Sequence, residues 1–164
     1  MNIRLVVKIL IATLVITGVV FLAVYVKSES GFGKKYRVLE IKDNNSGKVY
    51  KKWILEETGE FSIEFIHSVH QSPVRETFKI EGSMIRPIAV RFFSFGAGMQ
   101  SDLEEGQTLS QEGDALVLRG FSSSFRELNL IPGTVSDHLF FFRDEVYSLR
   151  ELCGRNAHIK IHVK

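Results

Sequence analysis

Apolar and polar residues alternate with a period of two along most of the chain after Tyr36, and this pattern restricts the fold more than any other feature. The run EFSIEFIH shows it well, because alternate residues of an extended strand point to opposite faces. One face receives Phe61, Ile63 and Phe65, and the other receives Ser62, Glu64 and Ile66. Similar short runs recur between turns rich in Gly, Asp, Asn and Pro. The sequence therefore predicts an all-β domain, an antiparallel sandwich or partly closed barrel of about 8–10 short strands.

The side chains available for a core agree with this prediction. The sequence contains thirteen phenylalanines, whose large rings can fill a β core. Cys153 is the single cysteine, so no disulfide within the chain can form and the core must supply the stability. The formal net charge is only +2, without a dense cluster of Lys and Arg, so no nucleic-acid partner is expected. No motif indicates a cofactor.

A long apolar segment precedes the β-rich part of the chain. Leu5–Val26 carries no charge for 18 residues after Lys8, which is enough to cross a bilayer as a helix. Arg4 and Lys8 lie towards the amino terminus, so the positive-inside rule places that terminus in the cytoplasm. A cleaved signal peptide is the alternative, although its apolar region is usually shorter, about 7–15 residues.

These features predict the organisation of the whole chain. Residues 1–27 are expected to form a single-pass membrane anchor or uncleaved signal that contacts lipid through Leu5–Val26. Residues 28–35 are small, polar and Gly-rich, which is typical of a short tether. Residues 36–164 are expected to form the exported β domain, outside the cytoplasm at the cell membrane.

The stretch EFIHSVHQSPVRETF carries the side chains best suited to chemistry. His67, His70 and Glu76 could together ligate a metal, but residues three apart on a strand face opposite ways and no zinc signature is present. The alternative is a strand end and turn whose polar side chains bond to the local backbone. A turn centred on residues 71–73 would pair the flanking strands and bring His67 near Glu76. That predicted pair either stabilises the turn or forms the floor of a site.

Three further features of the sequence contain residue types that could carry chemistry. Gly96-Ala97-Gly98 could form an anion-binding loop or only a tight exit from a strand. Ser68 adjoins His67, but neighbours on a strand face opposite ways, so no nucleophile–base pair is predicted. His138 precedes the apolar run LFFF and is interpreted as the first residue of a strand and not as a base. No catalytic residue is predicted.

The blocks FIHSVHQSPVRETF and FFSFGAGM, followed by HLFFF and a β-rich C-terminus, resemble a domain-of-unknown-function family of small bacterial proteins. Members have an N-terminal membrane segment and are often encoded beside the permease of TAXI-type TRAP transporters. The resemblance covers roughly Val38 to Val163. On that resemblance the family's signature positions fall on His67, Ser68, Val69, Pro73, Glu76, Gly96, Ala97 and Gly98, and all of these except Val69 are expected to be binding residues. His67, Glu76 and the Gly96-Ala97-Gly98 turn are expected to shape one polar patch for binding or docking. This chain has His70 where members tend to have an acidic residue, and Gln100 where they tend to have Pro.

The resemblance sets the functional hypothesis. It implies a membrane-anchored exported accessory or ligand-binding domain of a TRAP-type (TAXI) solute transporter, without catalysis. The expected partners are the TRAP permease or its solute-binding protein. The alternatives are a metal-dependent enzyme that uses His67, His70 and Glu76, and a structural envelope protein.

Overall fold

A computed structural model describes residues 36–56, 59–69, 71–93, 103–133 and 136–164 of the chain. Tyr36–Lys164 is one compact unit. The predicted anchor (1–27) and tether (28–35) lie outside the described residues, as do His70 and Gly96-Ala97-Gly98. No helix within the described part of the chain is long and apolar enough to span a membrane.

Eleven strands and one short helix form within the described residues. The strands are β1 (Arg37–Asp43), β2 (Val49–Leu55), β3 (Glu60–Ile66), β4 (Pro73–Glu81), β5 (Met84–Phe92), β6 (Thr108–Glu112), β7 (Ala115–Arg119), β8 (Glu127–Leu130), β9 (His138–Phe142), β10 (Glu145–Ser148) and β11 (Ile159–Val163). Helix α1 (Leu149–Cys153) follows β10 directly.

The described strands form two separate antiparallel sheets. The smaller sheet has four strands in the order β2-β1-β11-β8, and the larger has seven in the order β10-β9-β3-β4-β5-β7-β6. Every neighbouring pair is antiparallel. The all-β prediction is therefore confirmed in its sandwich form, with slightly more strands than the sequence indicated.

Local turn chemistry explains why the strands end where they do. The Asp43 carboxylate closes the β1–β2 turn by accepting hydrogen bonds from the backbone N–H groups of Asn45 and Ser46, at 3.0 and 2.6 Å. Gly47 takes a φ of 73° in the same turn, a conformation that suits glycine. After β10, Ser148 caps α1 by accepting from the Glu151 N–H at 3.0 Å.

Aromatic rings join the two sheets at the centre of the core. Trp53, from the smaller sheet, stacks on Phe140 of the larger sheet with 5.3 Å between ring centroids. Phe140 in turn stacks on Phe61 at 5.2 Å, and Phe61 stacks on Phe78 at 5.2 Å. Phe61 and Phe140 are fully buried. The alternation that defines β3 in the sequence therefore directs its phenylalanines into the inter-sheet core.

Phe140 and its neighbour Phe141 give a direct test of this packing, since they lie on opposite faces of β9. Phe140→Ala removes a ring that contacts two others in the core, and we expect it to lower the free energy of unfolding by about 3–5 kcal/mol. Phe141 lies outside the core, with the Arg75 guanidinium 4.1 Å from its ring centroid. Its change to Ala should cost only about 1 kcal/mol. Urea denaturation of the full-length variants measures both, and equal costs would contradict this assignment of faces.

Candidate functional site

Cross-strand register arranges the inner face of the larger sheet into rows of side chains, because directly opposite residues point the same way. The first row contains Phe142, Phe61 and Phe78. The next contains Phe140, Ile63, Glu76, Val90 and Leu118. The third contains His138, Phe65, Val74, Phe92 and Leu116. Glu76 and His138 thus interrupt rows that are otherwise apolar.

A cavity of about 320 Å³ opens between the two sheets where these polar residues lie. Its walls come from β3, β4 and β9 of the larger sheet, from β8 at the edge of the smaller sheet, and from Phe125 just before β8. We call it the inter-sheet cleft, and its described lining residues are Ile63, Phe65, Glu76, Phe78, Phe125, Glu127, Leu128, Asn129, Leu130 and His138. An apolar pocket with a few inward polar groups is the usual form of a small-molecule site.

Glu76 is the most unusual group in the cleft. It lies mid-strand in β4, between Ile63 of β3 and Val90 of β5. Burial among these apolar neighbours raises the pKa of its carboxyl, because the charged form loses hydration. No described residue forms a hydrogen bond or salt bridge with this carboxyl, while partial exposure leaves it open to the cleft. The site therefore contains a carboxyl whose negative charge is not compensated.

His138 is the second polar group on the inner face, at the first position of β9. Its ring stacks on Phe65 at 5.3 Å, and its backbone N–H donates to the Asp137 carboxylate at 2.7 Å. The Nδ1 atom is buried without a hydrogen-bond partner among the described residues. Burial lowers the pKa of the imidazole; Asp137 opposes this shift and the Arg150 charge adds to it. The imidazole is therefore held towards its neutral form.

Glu76 and His138 share the cleft but do not form a pair. They are separated by β3, where Glu76 lies opposite Ile63 and His138 lies opposite Phe65. Standard strand and residue spacings put their Cα atoms about 12 Å apart. No hydrogen bond or ion pair joins the two side chains and neither shifts the pKa of the other, but their spacing lets one ligand contact a polar group at each end.

The register shows that the predicted pair of His67 and Glu76 is wrong. Glu76 lies opposite Ile63, four residues before His67, which is roughly 13 Å along the strand. His67 instead belongs to the β3–β4 turn, where its backbone N–H donates to the Ser72 carbonyl at 2.9 Å. Its Nδ1 accepts from the Val69 N–H at 3.3 Å. The imidazole thus bonds to local backbone, as the turn interpretation of this stretch expected.

The other predicted residues lie away from Glu76. Pro73 begins β4 and lines a cavity of about 330 Å³ with Glu64, Arg75 and Arg91 on the outer face of the larger sheet. Pro73 and Glu76 are three residues apart on one strand, so they face opposite sides of the sheet. The predicted binding residues Pro73 and Glu76 therefore lie on opposite faces of the larger sheet.

Ser68 lines a third cavity, an outer groove of about 450 Å³ beside the β3–β4 turn. Asp137 and Arg150 also line it. The Asp137 carboxylate is already engaged, because it accepts from the Ser148 hydroxyl and from the backbone N–H of Arg150 at 3.1 Å. This groove is larger than the inter-sheet cleft, but Asp137 has a structural role in positioning α1, and the second carboxylate of the lining, Glu64, is paired with Arg75 at 2.8 Å.

The metal alternative finds no support in the described geometry. No group of three His, Cys, Asp or Glu side chains within residues 36–56, 59–69, 71–93, 103–133 and 136–164 is arranged to hold a metal ion. His67 and Glu76 are separated, and His70 lies outside the described residues. Cys153 is half-buried in α1, and burial raises the pKa of its thiol to about 12, which suppresses the reactive thiolate.

Sequence reasoning located Glu76 but missed His138 and the β8 wall. The interpretation of His138 as the first residue of a strand is confirmed. A signal for its direction was present in HLFFF, because period-two alternation puts His138 on the same face as Phe140 and Phe142. No comparable signal existed for β8, since its place opposite the cleft depends on the pairing of Leu128 with Ile161.

The raised pKa of Glu76 predicts how stability depends on pH. A carboxyl with a higher pKa in the folded state stabilises the fold while protonated, and this contribution is lost as pH rises above the ordinary value near 4.5. Relative to Glu76→Gln, the wild-type chain should therefore lose stability by roughly 1.4 kcal/mol per pH unit between the unfolded and folded pKa values. Urea denaturation of the full-length chain from pH 4 upward measures this difference.

Glu60→Gln is the matched control, because Glu60 is an exposed carboxyl at the start of β3 and not part of the cleft lining. The titration of His138 affects all three proteins alike and cancels in the comparison. A stability difference between wild type and Glu76→Gln that is independent of pH would contradict the placement of this carboxyl.

Comparison with known families adds one finding. A family described as Domain of unknown function (DUF1850) matches residues 61–149, more than half of the chain. The matched region contains every described residue that lines the inter-sheet cleft. No curated protein and no solved structure matches the chain significantly.

Proposed function

The chain belongs to the family described as Domain of unknown function (DUF1850). This description contains no activity, so we propose a function from the geometry of the chain itself and from its sequence. The protein is a membrane-anchored exported domain that binds a small ligand in the inter-sheet cleft. It serves a TRAP-type (TAXI) solute transporter as an accessory component, in contact with the permease or its solute-binding protein.

The uncompensated Glu76 carboxyl is the observation that carries the ligand-binding part of this proposal. A carboxyl in an apolar row weakens the fold, because its charged form loses hydration without gaining a partner. Such a group is typical of binding sites, where a ligand supplies the missing partner. The cleft beside it has room for a small molecule and receives the imidazole of His138 from another strand.

Binding is favoured over catalysis by the composition of the cleft. The described lining contains no Ser, Thr, Cys or Lys, so only its carboxylates and the imidazole could act as a nucleophile. Glu76 and His138 come from strands that β3 separates, and no hydrogen bond joins them into an activated pair. A ligand-binding role requires only the apolar walls and the two polar ends.

The transporter part of the proposal draws on the sequence. The apolar Leu5–Val26 segment fits a membrane anchor, and the family that the chain resembles is often encoded beside TAXI-type TRAP permeases. An exported ligand-binding domain held at the membrane is a natural accessory to solute uptake. A structural envelope protein is the competing function, and it would have no use for an open cleft with an unpaired carboxyl.

Affinity capture and solute uptake test the two parts together. The full-length chain, captured from native membranes, should bring with it the permease or the solute-binding protein. Leu128→Trp replaces an aliphatic side chain of the cleft wall with a large indole ring, which reduces the free volume from the β8 side. We expect this variant to retain the captured partner but to lose most of its ability to restore solute uptake in a strain that lacks the wild-type chain.

Ile54→Trp is the matched control for cleft filling. Ile54 is an exposed residue of β2, the other edge strand of the same sheet, and it does not line the cleft. It should restore uptake fully, and urea denaturation checks that both variants are folded. Capture of neither transporter component would overturn the transporter role, and full uptake with Leu128→Trp would overturn the role of the cleft.

A further inference from the structure

We propose that the inter-sheet cleft selects a small organic cation, with an ammonium group at Glu76 and an apolar body against the phenylalanines of the walls. This inference rests on the proposed ligand-binding function and specifies the chemical class of the ligand. It follows from the charges, the aromatic rings and the volume of the cleft.

The charge of the described lining is negative or neutral. Its titratable residues are Glu76 from β4, Glu127 from β8 and His138 from β9, and it contains no Lys or Arg. An anionic ligand would therefore enter an apolar space with no cation to pair with, at a large desolvation cost. A cation meets the opposite situation, because a carboxyl is already present and unpaired.

Glu76 is the carboxyl available to such a ligand. Glu127 already pairs with Lys160, whose Nζ lies 2.9 Å from its Oε2, and it also accepts from the Asn129 amide at 3.2 Å. These contacts lower the pKa of Glu127, with the Lys160 hydrogen bond as the largest cause. Glu76 has no such partner among the described residues, so an ammonium N–H can donate a charge-assisted hydrogen bond to it.

Aromatic rings provide part of the walls, beside Ile63, Leu128 and Leu130. Phe65, Phe78 and Phe125 all line the cleft, and ring faces attract a desolvated cation while their carbon surface holds an apolar body. Phe125 is 42% exposed, although its backbone is fixed to Ile85 of β5 by two hydrogen bonds at 2.7 and 2.8 Å. The exposed Phe125 ring on this fixed backbone is therefore suited to contact a ligand in the cleft.

The volume limits the size of this cation. At about 320 Å³ the cleft lies near the lower end of the range for ligand sites. It therefore fits a small amine with one apolar or aromatic group, and not a lipid. A polyamine is disfavoured by charge and not by size, because its further ammonium groups would face apolar walls and a Glu127 that is already paired with Lys160.

Three probes with one shared body test the class. They are 3-phenylpropylammonium, 3-phenyl-1-propanol and 3-phenylpropanoate, which share the phenyl-alkyl body and carry a cationic, a neutral and an anionic polar end. The full-length chain is held in lipid nanodiscs with labelled Ile and Leu methyl groups, and empty nanodiscs correct for partition of the probes. NMR shifts of the Ile63, Leu128 and Leu130 methyls report on the cleft, and the Ile54 methyl reports on a surface outside it.

We expect the ammonium probe to bind at least about ten-fold more tightly than the alcohol, with the carboxylate weakest. Glu76→Gln should reduce the preference for the ammonium over the alcohol to about three-fold or less, because it removes the charge but keeps the shape. Glu60→Gln, which changes the same charge outside the cleft, should preserve the full preference.

The remaining outcomes separate this inference from the proposed function. If the alcohol or the carboxylate binds as tightly as the ammonium, the cleft binds ligands but the cation class is wrong. If the preference survives Glu76→Gln, the assignment of Glu76 as the counter-ion is wrong. If no probe shifts the cleft methyls, both the cation class and the ligand-binding function are overturned.

Discussion

Stacking between Trp53 of the smaller sheet and Phe140 of the larger sheet holds the two layers together. Phe140 also stacks on Phe61, and Phe61 stacks on Phe78. This aromatic chain of four rings joins the smaller sheet to three neighbouring strands of the larger one, β9, β3 and β4. A chain with a single cysteine has no disulfide to fix the distance between its sheets. Ring packing contributes to fixing that distance, together with the aliphatic side chains of the same buried cluster and the backbone bridge between Ile85 and Phe125.

The cleft arises because the two sheets differ in width. Four strands cannot cover the inner face of seven, and the edge strand β8 leaves a gap over β3, β4 and β9. Buried apolar residues of the described chain form two clusters, one around the aromatic chain and a smaller one around Val74, Phe92 and Leu118. Glu76 lies between them in the register, next to Val74 on one side and Phe78 on the other along its face of β4.

Placing a carboxyl between two apolar clusters costs stability in the absence of a ligand. An apolar side chain at position 76 would let the clusters merge and would strengthen the core. The same carboxyl gives the cleft a fixed point of charge, so stability and binding have opposite requirements at this position. Such conflicts between local packing and the rest of the fold are expected at functional sites.

The sequence predicted the strands, the sheet class and the inner face of β3, because alternation with period two determines which side chains share a face. It also named Glu76 as a candidate, and the fold places this carboxyl in the inter-sheet cleft. Alternation alone would have separated Pro73 from Glu76, yet both were included among the candidate binding residues. The sequence could not show that β3 lies between β4 and β9, because that pairing joins residues far apart in the chain, such as Phe65 and His138. Glu76 lies opposite Ile63 and not His67, because the length of the β3–β4 turn sets which residues of the two strands are paired. The sequence did not define that length.

The central claim about this site is that the Glu76 carboxyl is buried without a partner. Site-specific ¹³C NMR of this carboxyl, titrated in the full-length chain without ligand, tests it directly. We expect the midpoint of the titration to lie clearly above the ordinary glutamate pKa near 4.5, because burial without a partner disfavours the charged form. A midpoint at or below that value would mean that the carboxyl is solvated or paired, and the inter-sheet cleft would lose its role as the ligand site.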